Sequence, residues 1–157
     1  MRILGLDSAT CTGWGLLDEG ERLAGHGTVD ASDLLRVDAF AARICSTQRP
    51  DLVVIEDNFV MRGPKANPNT MKILSRIVGA WLLAFAVRGV PTEVVLPGVW
   101  QKGVLGQLTK GGTKRAAALW VQATFGITVP EDAADGIGIA TWVARREQLA
   151  RRIRAAG

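Results

Sequence analysis

Arg2-Ile3-Leu4-Gly5-Leu6-Asp7 opens the chain as a short apolar run stopped by an acid. Such a run reads as a buried strand that delivers a carboxylate to its carboxyl end. The pattern recurs at Leu52-Val53-Val54-Ile55-Glu56-Asp57, where β-branched residues lead straight into acid after the turn-like Arg49-Pro50-Asp51. If the two strands are adjacent, Asp7 and Glu56 point at one crevice. Further out, Pro130-Glu131-Asp132-Ala133-Ala134-Asp135 precedes the apolar stretch from Ile137 to Val143. That places two more acids in the first turn of a helix, and residues three apart share a helix face.

Taken singly, each acid has a plainer reading: Asp7 as a strand-end acceptor of turn hydrogen bonds, Asp132 as a complement to the helix dipole. Four in this order favour a metal site. Four negative charges in one pocket repel one another unless the pocket holds dications. Hard oxygen donors suit Mg²⁺, with Mn²⁺ as a substitute. Two such ions, about 4 Å apart, activate a water on one side of a phosphodiester and stabilise the departing oxygen on the other.

The absences narrow the chemistry. His26 is the only histidine, in a segment that reads as an outer strand, and there is no tyrosine. Carboxylates and metal-bound water are what remain for hydrolysis. Cys11 and Cys45 have no metal-ligand spacing and are expected to be small buried residues of a reducing compartment. The 157 residues, 48% of them hydrophobic, suit one compact domain covering the whole chain. No apolar run has the length of a membrane span, so a soluble, cytoplasmic protein is expected.

Charge is split along the chain. Residues 1–60 carry 5 Lys and Arg against 10 Asp and Glu, whereas residues 61–157 carry 14 against 5, for a net +4 overall. The basic half falls into three clusters: Arg62, Lys65, Lys72 and Arg76; Lys102, Lys110, Lys114 and Arg115; and Arg145, Arg146, Arg151, Arg152 and Arg154. Basic clusters flanking an acidic metal site suggest a track for phosphates.

The expected architecture begins with three strands near 2–7, 12–18 and 21–29, forming an antiparallel meander through turns such as Asp18-Glu19-Gly20-Glu21. Ser32 is expected to cap a helix to about Ser46, with Leu34, Leu35, Val37, Ala41 and Ile44 buried. After the strand at 51–57, Asn67 and Pro68 start a long helix that ends at Arg88-Gly89-Val90-Pro91. Met71, Leu74, Val78, Trp81 and Phe85 make its core stripe. Ile73, Ile77 and Leu83 are surplus to one face, which leaves two readings: deep burial between helices, or a homodimer seam. A strand at 92–96, a short helix near 98–105, a Gly-rich loop to Gly112 and helices near 113–125 and 132–154 complete the chain.

This order is that of the ribonuclease H-like fold, an α/β architecture whose five-stranded mixed sheet (three antiparallel strands, then two parallel) is flanked by helices. Within it the sequence resembles RuvC-type Holliday junction resolvases, especially the shorter phage versions. The matching words are Ile3-Leu4-Gly5-Leu6-Asp7 with Thr12-Gly13-Trp14-Gly15, then Val54-Ile55-Glu56-Asp57-Asn58-Phe59, then Asp132-Ala133-Ala134-Asp135-Gly136-Ile137-Gly138-Ile139-Ala140. Together they run almost end to end. The first word is shared with sugar kinases and actin-like ATPases; the last is the family's signature. Ser8-Ala9 stands where the bacterial family usually has Pro-Gly, in a turn shorter by one residue.

The resemblance implies a homodimer, in a bacterial or phage-infected cell, that resolves four-way DNA junctions by paired nicks with one Mg²⁺-dependent site per subunit. Asp7, Glu56, Asp132 and Asp135 would ligate two metal ions. Lys114 matches a family lysine beside the scissile phosphate, Lys102 resembles a second, and Phe59 matches an aromatic presented to bases near the crossover. Arg62, Lys65, Arg76, Lys110 and Arg115, with the Arg-rich last helix, would hold phosphates. Two other readings stay open: a nuclease for RNA–DNA hybrids or other branched DNA, and a non-catalytic scaffold for branched nucleic acid.

Overall fold

The computed structural model describes residues 1–19, 21–57, 67–106 and 113–156, with only the backbone of Thr113 and Lys114 described. The elements follow as β1 (Ile3–Asp7), β2 (Cys11–Leu17), β3 (Leu23–Asp30), α1 (Leu34–Thr47), β4 (Leu52–Glu56), α2 (Pro68–Ala86), β5 (Thr92–Val95), α3 (Pro97–Leu105), α4 (Thr113–Phe125) and α5 (Glu131–Ala156). The five strands form one mixed sheet in the order β3-β2-β1-β4-β5. β1 pairs antiparallel with β2 and parallel with β4, β2 runs antiparallel to β3, and β4 runs parallel to β5. This is the expected ribonuclease H-like class.

Strand alternation divides the core in two. Leu4, Leu6, Leu16, Val53 and Ile55 face α1 and α2, where they meet Val37, Phe40, Ile44, Trp81 and Phe85. Ile3, Leu17, Leu52 and Val54 face the other way, onto Val121 of α4 and onto Ala133, Ile137 and Ala140 of α5. Because side chains alternate with a period of two, Asp7 follows Ile3 and Gly5, and Glu56 follows Leu52 and Val54, onto the α5 face.

On that face α5 lies almost in backbone contact with the sheet. A Cβ on Gly13 would stand 1.7 Å from the Asp132 carbonyl oxygen, and one on Gly136 would stand 2.6 Å from Cα of Trp14. No side chain fits between them. Residues 133–141 of α5 are accordingly buried all round. This burial explains why the first half of the helix reads as small and apolar instead of amphipathic.

The helix ends follow local chemistry. α1 is capped by Asp33, whose side chain accepts from the Leu35 amide, and not by Ser32. Ser32 instead turns back to Asp30, its Oγ donating to Oδ1 at 2.5 Å. Val37, Ala41 and Ile44 are buried as expected, together with Phe40, but Leu34 and Leu35 are 60% and 80% exposed. Both precede the first residue of the helix that turns inward. Asn67 caps α2 by accepting from the Asn69 amide, and Pro68 occupies the first turn. Among the described residues no helix is long and apolar enough to cross a membrane.

Candidate active site

Register and packing bring the four carboxylates to one end of the sheet. β1 and β4 are adjacent and parallel, with Leu6 opposite Ile55, so Asp7 and Glu56 end neighbouring strands. Asp7 lies opposite Gly13 on β2. Gly13 is the residue on which the Asp132 carbonyl rests. One turn along α5, Asp135 is buried at 6% exposure, and Asp7 is buried at 9%, values rarely met by carboxylates without a purpose-built environment. Crevices at the carboxyl ends of parallel strands are the usual location of sites in open α/β sheets.

Hydrogen bonds fix the frame around these acids. Ser8 Oγ donates to the Glu56 carbonyl at 2.5 Å, tying the segment after β1 to the end of β4. Thr12 is fully buried; its hydroxyl donates to the Ala9 carbonyl at 2.7 Å and accepts from Trp81 Nε1 at 3.2 Å. The turn Ser8-Ala9-Thr10 is thus held by side chains, where a glycine would otherwise lend backbone freedom. The Glu56 carboxylate accepts a hydrogen bond from Trp100 Nε1 on α3. None of these supporting contacts stood out in the sequence. A serine, a threonine and two tryptophans have no spacing that announces a role, and their partners are 44 to 69 residues away, apart from the local Thr12–Ala9 bond.

The convergence is one of backbone placement. Among the described residues no three His, Cys, Asp or Glu side chains form a group arranged to hold a metal ion.

The expected DNA-contacting residues separate into two kinds. Phe59, Arg62, Lys65 and Lys110 lie outside the described residues, as does the side chain of Lys114, whose backbone is the second residue of α4. Arg76, Lys102 and Arg115 are exposed. Arg76 lines a groove between α1 and α2 that reaches Thr10 in the turn after β1. Lys102 is two residues from Trp100, which places it on the far side of α3 from the indole.

The arginines of α5 depart from expectation. Arg145 pairs with Glu21 in the β2–β3 connection at 3.4 Å, and Arg146 with Glu93 on β5 at 2.8 Å and Glu147 at 3.0 Å. Glu21 follows the end of β2 that pairs with Ile3, away from Asp7, and Glu93 pairs with Val54, two residues before Glu56. At 1.5 Å per residue, Arg145 to Arg154 lie about 15–28 Å along the helix axis from Asp135. They do not flank the carboxylates. Arg154 in the last turn instead complements the helix dipole.

Two further expectations change. Cys11 at the start of β2 is exposed, because the first residue of that strand lies beyond the cover of α5; Cys45 is half-buried on α1. On α2, Ile77 joins Val78, Trp81, Ala84 and Phe85 in the core, whereas Ile73 and Leu83 are 47% and 64% exposed. Deep burial within one chain therefore does not account for those two. His26 is exposed on β3, the sheet edge, as expected.

No protein-family model matches the chain, and no curated protein matches it significantly in sequence. Solved structures do match in fold. A Thermus thermophilus RuvC structure is 24% identical, with a TM-score of 0.72 over 94% of this chain and 97% of that one. T. thermophilus RuvC in complex with a Holliday junction substrate is also 24% identical, with a TM-score of 0.73 over 93% and 96%. The yeast mitochondrial Holliday junction resolvase Ydc2 is 12% identical, with a TM-score of 0.60 over 95% of this chain and 80% of its own. The strand order, the parallel β1–β4–β5 half and the helix laid directly on β1 and β2 make this the ribonuclease H-like fold, in the arrangement found in RuvC.

Proposed function

We propose that the protein is a metal-dependent DNA endonuclease that resolves four-way junctions by paired nicks. The observation that carries this reading is the placement of Asp7, Glu56, Asp132 and Asp135 on one face and at one end of a sheet whose fold is shared with RuvC bound to a Holliday junction.

The donor set fits Mg²⁺ or Mn²⁺, since carboxylate oxygens are hard ligands. Asp7, Glu56, Asp132 and Asp135 would hold two ions. Bound there, such ions supply water activation and charge stabilisation for phosphodiester hydrolysis, leaving 5′-phosphate and 3′-hydroxyl ends. The protein's own part is positional. β1 and β4 set the spacing of two carboxylates, and the close seat of α5 on Gly13 sets the other two against them. Lys114 at the start of α4, with Lys102, would steady the scissile phosphate. Arg76, Arg115, Arg62, Lys65 and Lys110 would hold flanking phosphates, and Phe59 would stack on a base near the crossover.

Paired nicks require two sites, hence a homodimer. Its seam is supported by a groove of about 650 Å³ between α1 and α2, where Leu34, Ile73 and Leu83 are exposed around Ala80. A second copy seated on α2 would cover them, and the groove's end at Thr10 would bring the seam close to both sites.

Cleavage of a synthetic immobile four-way junction, set beside linear duplex, a flap and an RNA–DNA hybrid, tests the substrate. Symmetrical Mg²⁺-dependent nicks in the junction are expected. Preference for the hybrid or the flap would overturn the junction assignment, and absence of cleavage on all four would leave the scaffold reading in its place.

A further inference from the structure

We propose that Trp100 is a positioning residue for the Glu56 carboxylate, coupling α3 to the metal-binding face of the sheet. Trp100 is fully buried, and its indole Nε1 donates to Glu56 Oε2. An indole N–H buried without an acceptor carries a desolvation penalty, so the pairing constrains both partners. The ring is also seated on α5. A Cβ on Gly138 would stand 2.6 Å from Trp100 Cζ3, so the helix that carries Asp132 and Asp135 omits a side chain where the indole enters. One residue therefore touches the carboxylate of β4 and the backbone of α5 together, fixing the second acid relative to the third and fourth. Pro97 starts α3 with one residue between it and the end of β5, so the connection to the strand beside β4 is short.

A tryptophan that only filled space would cost packing alone on replacement by phenylalanine, independently of Glu56. One that orients a ligand would cost more, because an outer partner of a ligating carboxylate fixes its rotamer and its affinity. The inference rests on the metal-site reading above, and its test separates the two. Mn²⁺ binding is measured by calorimetry, without DNA, on the full chain as wild type, Glu56→Ala, Trp100→Phe and the double variant. Trp100→Phe is expected to weaken Mn²⁺ binding by about 10-fold or more. It is expected to add nothing further in the Glu56→Ala background. Wild-type affinity in Trp100→Phe alongside weakened binding in Glu56→Ala overturns the positioning role and leaves the metal site standing. An equal loss from Trp100→Phe in both backgrounds reduces Trp100 to a packing residue and overturns the role as well. Unchanged Mn²⁺ binding in Glu56→Ala overturns the metal-site reading itself. Should Trp100→Phe fail to fold, the indole N–H resonances of the wild-type protein decide. One resonance, displaced by the carboxylate, is expected to move on Mg²⁺ addition and in Glu56→Ala; no resonance that responds to both overturns the proposal.

Discussion

The carbonyl oxygen of Asp132 stands 1.7 Å from the point that a Cβ on Gly13 would occupy. Since Gly13 pairs with Asp7 across the β1–β2 ladder, this one contact joins the last acid-bearing element to the first. The neighbour is backbone, which cannot move aside as a flexible side chain can. Gly13→Ala is expected to displace the start of α5 and destabilise the fold by about 3 kcal/mol, the upper range for overpacking a tight core. Urea denaturation measures this; a loss below about 1 kcal/mol would show that α5 can lift without cost.

Asp7→Asn and Asp135→Asn preserve volume while removing negative charge. Each is expected to lower junction cleavage by at least about 100-fold, since even an outer partner of a metal ligand counts on that scale. Gel-shift affinity for the junction should stay near wild type. Cleavage within a few-fold of wild type in either variant would remove that residue from the proposed metal site.

The proposed seam on α2 can be tested through its exposed apolar residues. Leu83→Glu is expected to leave the circular dichroism unchanged and shift folding stability by less than about 0.5 kcal/mol, as for other exposed positions. It should convert a dimer to a monomer in sedimentation and reduce paired nicks to single ones. A wild-type chain that sediments as a monomer with and without junction would end the dimer reading.

The two cysteines should separate in alkylation. Cys11 is exposed, while burial raises the thiol of Cys45 above its ordinary range, an effect only partly offset by Arg88. A raised thiol pKa means less thiolate at neutral pH, so Cys45 should react more slowly and gain rate as pH rises. Mass spectrometry of partial iodoacetamide labelling checks the order. Faster labelling of Cys45 at pH 7 would contradict this placement.

The basic residues should divide by location. Replacing Arg151 and Arg154 together by Gln, about 24–28 Å along α5 from Asp135, is expected to leave the junction cleavage rate within about two-fold of wild type. Lys114→Gln should reduce cleavage and lower the salt dependence of binding by about one phosphate contact. Loss of cleavage from the arginine pair would place the DNA path over the far end of the sheet.

The chain's local patterns established much of this protein. Apolar runs closed by Asp7 and Glu56 are legible as strands because burial on both faces selects continuous apolar residues, and Asp132 with Asp135 is legible because helix spacing is local. Helix caps are less so: Ser32 and Asp33 are equally good capping residues, and only the competing bond from Ser32 to Asp30 decides between them. The exposure of Leu34, Leu35 and Leu83 was equally hidden, since an apolar residue does not state which neighbour covers it. Tertiary structure alone decided that the arginines of α5 sit far from the acids, because one rigid helix spans both ends of the sheet. It also decided what holds the site in place. Ser8, Thr12, Trp81 and Trp100 act through partners mostly distant in sequence, and a hydrogen bond between such residues exists only once the sheet has fixed their separation.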